Sequence, residues 1–270
     1  MSFFHSLIRG VLEAYIGLFG DAHPLASLIP LSALIGVAML WVFGKTSNQK
    51  AIERAKKKMQ AYLLELRLYG DDPGLLFRAQ GNLIVANLKY MAHMFKPALI
   101  LTIPMIVLLF HLDAIYGIRA LRPGEAAVVT VETADAAAEA PPTVTAPQGV
   151  AVETPAVRAP ELGQINWRVR AAAPEHGELG FDWPDKQWTK SIDAGEGLRY
   201  VSHRRVSSTW DQFASPGEPL LDVAGVQAVD VAYPAAEIDA FGFQLHWLVW
   251  FLLVSIVTAY ALKGVFGVAV

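Results

Sequence analysis

The histidines are the first residues to ask about chemistry. There are seven, at positions 5, 23, 93, 111, 176, 203 and 246, and no two stand at metal-ligand spacing. His111 and Asp113 are two apart, which on a helix sends them to different sides. The chain has no cysteine, which removes disulfides, thiolate nucleophiles and cysteine metal sites. There is no HExxH pair, no GxSxG elbow and no GxxxxGK[ST] phosphate loop. These patterns point away from an enzyme, a metal or a cofactor. The densest chemistry left is cationic: Arg54, Lys56, Lys57 and Lys58. Such a patch can meet anionic headgroups or a ribosome, or can be a solvated face that keeps its segment in the cytoplasm. Three lysines at successive helix positions do not share one face, which favours the second use. No DNA partner is expected.

The elements that position these residues are mostly apolar. The chain is 54% hydrophobic with a mean hydropathy of +0.36, too apolar for an ordinary soluble protein of 270 residues. Residues 1–20 carry an apolar face (Phe3, Phe4, Leu7, Ile8, Val11, Leu12, Tyr15, Ile16, Phe19) interrupted by His5, Arg9 and Glu13, which predicts an interfacial helix rather than a span. A first span is expected in 21–44, a second in 97–118, broken by Pro104, and a third in 245–263, with a short tail at 264–270. Between the first two lies a helical hairpin over 45–96. Its first helix has an apolar seam at Ile52, Ala55, Met59, Tyr62, Leu66 and Tyr69. Its second, after Gly70-Asp71-Asp72-Pro73-Gly74, is expected to answer with Phe77, Gly81, Ile84, Leu88, Met91 and Phe95, Gly81 being the weak point. Two such seams joined by a short turn predict an antiparallel coiled coil.

Residues 119–244 change texture. Strands are expected at Ala126–Glu132, Gln164–Ala171, Glu178–Trp183, Gln187–Ile192, Leu198–Val206 and Val226–Tyr233, the spacing of a small antiparallel sandwich. Trp167, Trp183, Trp188 and Trp210 are its expected core and rim aromatics. Residues 133–163, rich in Ala, Pro, Val and Thr, are expected to be a disordered loop. The fold class is therefore an α-helical membrane protein, three spans and a helical hairpin, carrying an all-β domain. Residues 45–96 hold ten Lys and Arg against four Asp and Glu, and residues 113–244 hold ten against nineteen. The positive-inside rule then puts the hairpin and the C-terminus in the cytoplasm, and the N-terminus and β-domain outside.

This order resembles the core of the YidC/Oxa superfamily of membrane-protein insertases, in the three-span form of its archaeal YidC-like members and of the third subunit of the ER membrane protein complex. Three local features carry the resemblance: Met94-Phe95-Lys96-Pro97 followed by Pro104, the tip Gly70-Asp71-Asp72, and Leu248–Ser255 closing at Leu262-Lys263. It covers residues 20–118 and 240–270. It implies a lipid-open groove capped by the hairpin, with Ser32, Thr102, Ser255 and Thr258 as its polar lining and Met59, Met91, Met94 and Phe95 as client or partner contacts on the hairpin. It also implies a prokaryotic inner or plasma membrane location, and membrane lipids, nascent or small membrane proteins, a ribosome or an extracytoplasmic protein as partners. The chain departs from bacterial insertases in lacking an arginine in its first span, and its outside domain is larger than the three-span members carry. A scaffolding subunit that binds a partner through that domain is the alternative.

Overall fold

The computed structural model describes residues 2–20, 22–69, 71–134, 141–183, 186–240 and 242–268. The chain divides into two compact units, Met1–Ser27 with Val107–Val249, and Leu28–Ile106 with Trp250–Val270. Six helices are described: α1 (Ser2–Gly17), α2 (Pro24–Thr46), α3 (Gln49–Leu68), α4 (Pro73–Tyr116), the single turn α5 (Asp211–Ala214) and α6 (Trp247–Leu262). Eleven strands accompany them: β1 (Ala126–Thr133), β2 (Thr143–Thr145), β3 (Val150–Val152), β4 (Val157–Ala159), β5 (Gln164–Ala171), β6 (Glu175–Trp183), β7 (Lys186–Ala194), β8 (Arg204–Val206), β9 (Val226–Val231), β10 (Ile238–Ala240) and β11 (Phe243–Leu245).

Two helices, α2 and α4, are long and apolar enough to cross a membrane. Pro30 in α2, and Pro97 and Pro104 in α4, leave both helices continuous. The second hairpin helix and the second apolar stretch are thus one 44-residue helix, with no break at Pro97. The third expected span, α6, has 16 residues. At 1.5 Å per residue that is about 24 Å, short of a hydrocarbon core of about 30 Å.

The β-domain is antiparallel throughout its named strands. One sheet runs β3-β5-β1-β9-β8, with β4 also on β5, and a second runs β2-β6-β7. Their inward residues share one core, from Val129, Val131, Trp167 and Val169 on the first sheet to Leu179, Phe181, Trp188 and Ile192 on the second. Phe181 and Trp188, directly paired across β6 and β7, stack at 5.4 Å. Three sequence expectations need correction. Residues 141–163 are ordered: β2, β3, β4 and a 3-10 turn at Pro160–Leu162 hang on β5 and β6 through backbone pairing that carries no apolar alternation. Residues 135–140 of that expected loop lie outside the described set. Gly163, in the left-handed region (φ 64°), closes the turn where a Cβ would lie 2.7 Å from the Thr133 carbonyl oxygen. Of Leu198–Val206, only the β8 residues form a strand. Trp210 is not a core residue; it is 82% exposed beside α5.

An ion pair is built into this core. Alternation along β7 turns Trp188, Lys190 and Ile192 to the same buried side. The Lys190 ammonium donates to Glu218 Oε1 at 2.5 Å and to the Ser202 carbonyl at 2.6 Å. Burial pushes the Lys190 pKa down. Burial alone would raise Glu218, but Lys190 and the Ser191 hydroxyl outweigh it and hold the carboxyl below its ordinary 4.5. The sign follows: the Glu218 contribution to stability is present above about pH 4.5 and is lost as pH falls through the lower folded value. Lys190→Met, which leaves Glu218 buried without its cation, should cost about 3–5 kcal/mol. Lys190→Met with Glu218→Leu should recover most of that. Unfolding followed by the fluorescence of the buried tryptophans checks both.

Candidate functional site

The hairpin is set by its caps. Asn48 starts α3 by accepting from the Ala51 amide at 3.1 Å. Asp72 starts α4 by accepting from the Gly74 and Leu75 amides at 2.9 and 3.2 Å, with Pro73 at the first helical position. Gly70 of the expected tip lies outside the described residues. The α3 seam follows the expected one as far as Leu66: Ile52 and Ala55 are buried, Met59, Tyr62 and Leu66 half-buried, but Tyr69 at its end is exposed. The α4 seam does not. Its covered positions are Leu76, Ala79, Leu83, Ala86 and Tyr90, at three-four spacing, leading on to Pro97 and Leu101. The expected residues point away: Phe77 is 72% exposed, Leu88 60% and Phe95 64%, with Ile84 and Met91 also exposed. Two interleaved apolar faces run along this helix, and the pattern of large side chains marks the outer one. The packed face is the one with alanines, which let two helix backbones approach closely.

The four expected client contacts therefore separate. Met91 and Phe95 are exposed, whereas Met59 and Met94 are half-buried. The outer face continues without interruption through Leu99, Ile103 and Ile106, making one apolar track along the α4 residues of this unit.

The hydroxyls expected in a groove mostly serve their own helices. Ser32 is buried and donates to the Leu28 carbonyl at 2.6 Å. Thr102, exposed, donates to Ala98 at 2.8 Å. Ser255 donates to Leu252 at 3.1 Å. Thr258 is half-buried. Ser32 and Ser255 come from helices that meet, because α2 and α6 touch at Gly36, where a Cβ would lie 2.7 Å from the Ser255 carbonyl oxygen. Thr102 faces outward and joins neither. In the basic patch, Lys57 pairs with Glu53 at 2.9 Å, and Arg54 and Lys58 line a cavity between α3 and α4.

The other unit holds a polar chain that sequence spacing did not reveal. His5 Nδ1 lies 3.1 Å from His111 Nε2. His111 Nδ1 lies 2.9 Å from the Tyr200 hydroxyl, which donates to the Pro216 carbonyl at 3.1 Å. One assignment satisfies every partner: each Nδ1 carries the proton and donates onward. Burial raises the Tyr200 pKa, which keeps its proton in place. Arg9 donates to the Gly217 carbonyl at 2.6 Å and sits 5.1 Å above the Tyr200 ring. The chain joins residues 106 apart, a relation no local pattern can carry. On α1 it buries His5 together with Leu12 and Ile16, while Phe4, Leu7 and Val11 are exposed. Among the described residues no group of three His, Asp or Glu can hold a metal ion.

Comparison with protein-family models, with curated proteins and with solved structures finds no match.

The Gly36 contact gives a direct test of helix packing. Gly36→Leu forces α2 and α6 apart and should destabilise this unit by about 1–3 kcal/mol, with Gly36→Ala costing less. Thermal unfolding in detergent, followed by helical circular dichroism, measures both.

Proposed function

We infer that the chain helps hydrophobic segments of small or nascent membrane proteins enter the bilayer, the activity of YidC/Oxa-type insertases. The observation that carries this reading is the outer face of α4: Phe77, Ile84, Leu88, Met91 and Phe95, continuing into Leu99, Ile103 and Ile106. On the hairpin, Phe77, Ile84, Leu88, Met91 and Phe95 leave large apolar side chains exposed along one helix face, the kind of surface that marks an interaction site. Each is worth about 1.5–3 kcal/mol if an apolar partner covers it fully. A face that begins on the polar hairpin and ends on a charge-free stretch gives an incoming segment a continuous apolar path. The expected topology completes the picture: α2, α4 and the short α6 as three spans of a prokaryotic inner or plasma membrane, hairpin and C-terminus in the cytoplasm, β-domain outside. A short third span thins the bilayer locally, which lowers the barrier to moving a polar flank across. The chain acts by binding and exclusion of water, without a catalytic residue.

A second reading, a scaffolding subunit, draws on apolar side chains exposed on the β-domain, chiefly Val157, Leu162 and Trp210. It calls for a stoichiometric partner in mild-detergent purification.

In proteoliposomes, Leu88→Asp with Met91→Asp should reduce insertion of a short single-span client by about tenfold or more. These positions are exposed, so hairpin stability should change by no more than about 1 kcal/mol for the pair. Full insertion by this variant would remove the α4 face from the mechanism.

A further inference from the structure

The hairpin contains a cavity of about 350 Å³ between its two helices, lined by Ala51, Arg54, Ala55, Lys58, Ala86, Lys89 and His93. Its floor is alanine, and its polar lining is entirely basic. Arg54 and Lys58 are one turn apart on α3; Lys89 and His93 are one turn apart on α4. No carboxylate lines it, and the nearest acid in sequence, Glu53, is engaged by Lys57 at 2.9 Å. Arg54 is steadied by its Nε, which donates to the Lys50 carbonyl at 3.0 Å, leaving its terminal nitrogens for a ligand. Unlike the run Lys56-Lys57-Lys58, which circles the helix, these groups converge from two helices on one volume.

Converging cations around an uncharged floor suit a compact anion, and position along the helices narrows the choice. Lys96 is the last cation of α4 before a stretch without charge as far as Asp113. His93 and Lys89 precede it by three and seven residues, about 5 and 10 Å along the helix. Arg54 lies five residues into α3, about 8 Å along it. The headgroup layer on each side of a bilayer is about 5–8 Å deep. The cavity thus lies at headgroup depth or just beyond it on both arms of the hairpin.

We propose that this cavity binds the phosphate of an anionic phospholipid headgroup, with Arg54, Lys58, Lys89 and His93 as its ligands. The proposal rests on α2 and α4 crossing the bilayer and is independent of insertion activity. The bound lipid bridges α3 and α4 at their membrane-proximal ends and fixes the hairpin against the cytoplasmic leaflet, where anionic lipids concentrate.

The test uses the full chain in neutral detergent, titrated with phosphatidylglycerol and read by native mass spectrometry. One phosphatidylglycerol should be retained per chain, and phosphatidylcholine of the same tails should not. Lys58→Gln with Lys89→Gln should weaken retention by about thirtyfold. Lys58→Arg with Lys89→Arg should preserve it, and Lys57→Gln, outside the cavity, should leave it unchanged. Circular dichroism of each variant establishes that the hairpin remains helical, and the arginine pair keeps the test open if the glutamine pair does not fold. Equal retention by the glutamine pair overturns the site, as does equal loss in Lys57→Gln. Displacement by inorganic phosphate at matched concentration would assign the cavity to a free anion, and tighter binding of a short RNA would assign it to nucleic acid; either result overturns the lipid. Release of the chain from membranes by alkaline carbonate would refute the spans themselves, separately from the cavity.

Discussion

The hairpin depends on which side of α4 is packed. Ala79 and Ala86 are buried there, as are Ile52 and Ala55 on α3. Small side chains let two helices approach closely and bury backbone rather than bulk. The helical period then fixes the consequence. Residues two places from those alanines, Phe77, Ile84 and Leu88, fall on the far side, and Met91 and Phe95 follow Leu88 there at three- and four-residue steps. A seam made from the large residues would have hidden the apolar surface and left alanines outside. The choice of small residues for packing is what leaves a large apolar face exposed, and Ala55 and Ala86 floor the basic cavity between the helices.

The other unit buries polar groups beside apolar ones. α1 buries His5 with Leu12 and Ile16, half-buries Arg9, and leaves Phe4, Leu7 and Val11 exposed. In water that arrangement would be costly, because buried polar groups need partners and exposed apolar ones need cover. The partners of the buried polar groups are present, in the chain His5–His111–Tyr200–Pro216. The β-domain follows ordinary rules by comparison. Its sheets close over an apolar core, and its one fully buried lysine is matched by Glu218.

Much of this was legible in the sequence. Charge-free stretches located α2 and the apolar part of α4, and β5 spans the residues its alternation indicates. Asp72 and Pro73 marked the start of α4 because capping is local chemistry. What failed did so for identifiable reasons. The α4 seam was misassigned because hydrophobicity ranks Phe and Leu above Ala, whereas close helix packing ranks them the other way. β2 to β4 carry too few residues to show a period, and their order comes from pairing with β5 and β6. Lys190 reads as a surface lysine until its place in the alternation of β7 is counted. Pro97 looked like a boundary because proline disfavours a helix interior, yet α4 runs through it. The meeting of His5 with His111, and the placing of Lys89 and Arg54 around one cavity, belong to tertiary structure alone.

The central claim is that a client travels on the outer face of α4. Site-specific photo-crosslinking tests it most directly, with a photoreactive side chain placed at one α4 position at a time during insertion of a short client. The account predicts crosslinks at Phe77, Leu88 and Phe95 and then, as insertion proceeds, at Ile103, with Leu76, Leu83 and Tyr90 on the packed face remaining silent. Crosslinks at the packed positions as strong as at the outer ones, or none along the outer face, would contradict it.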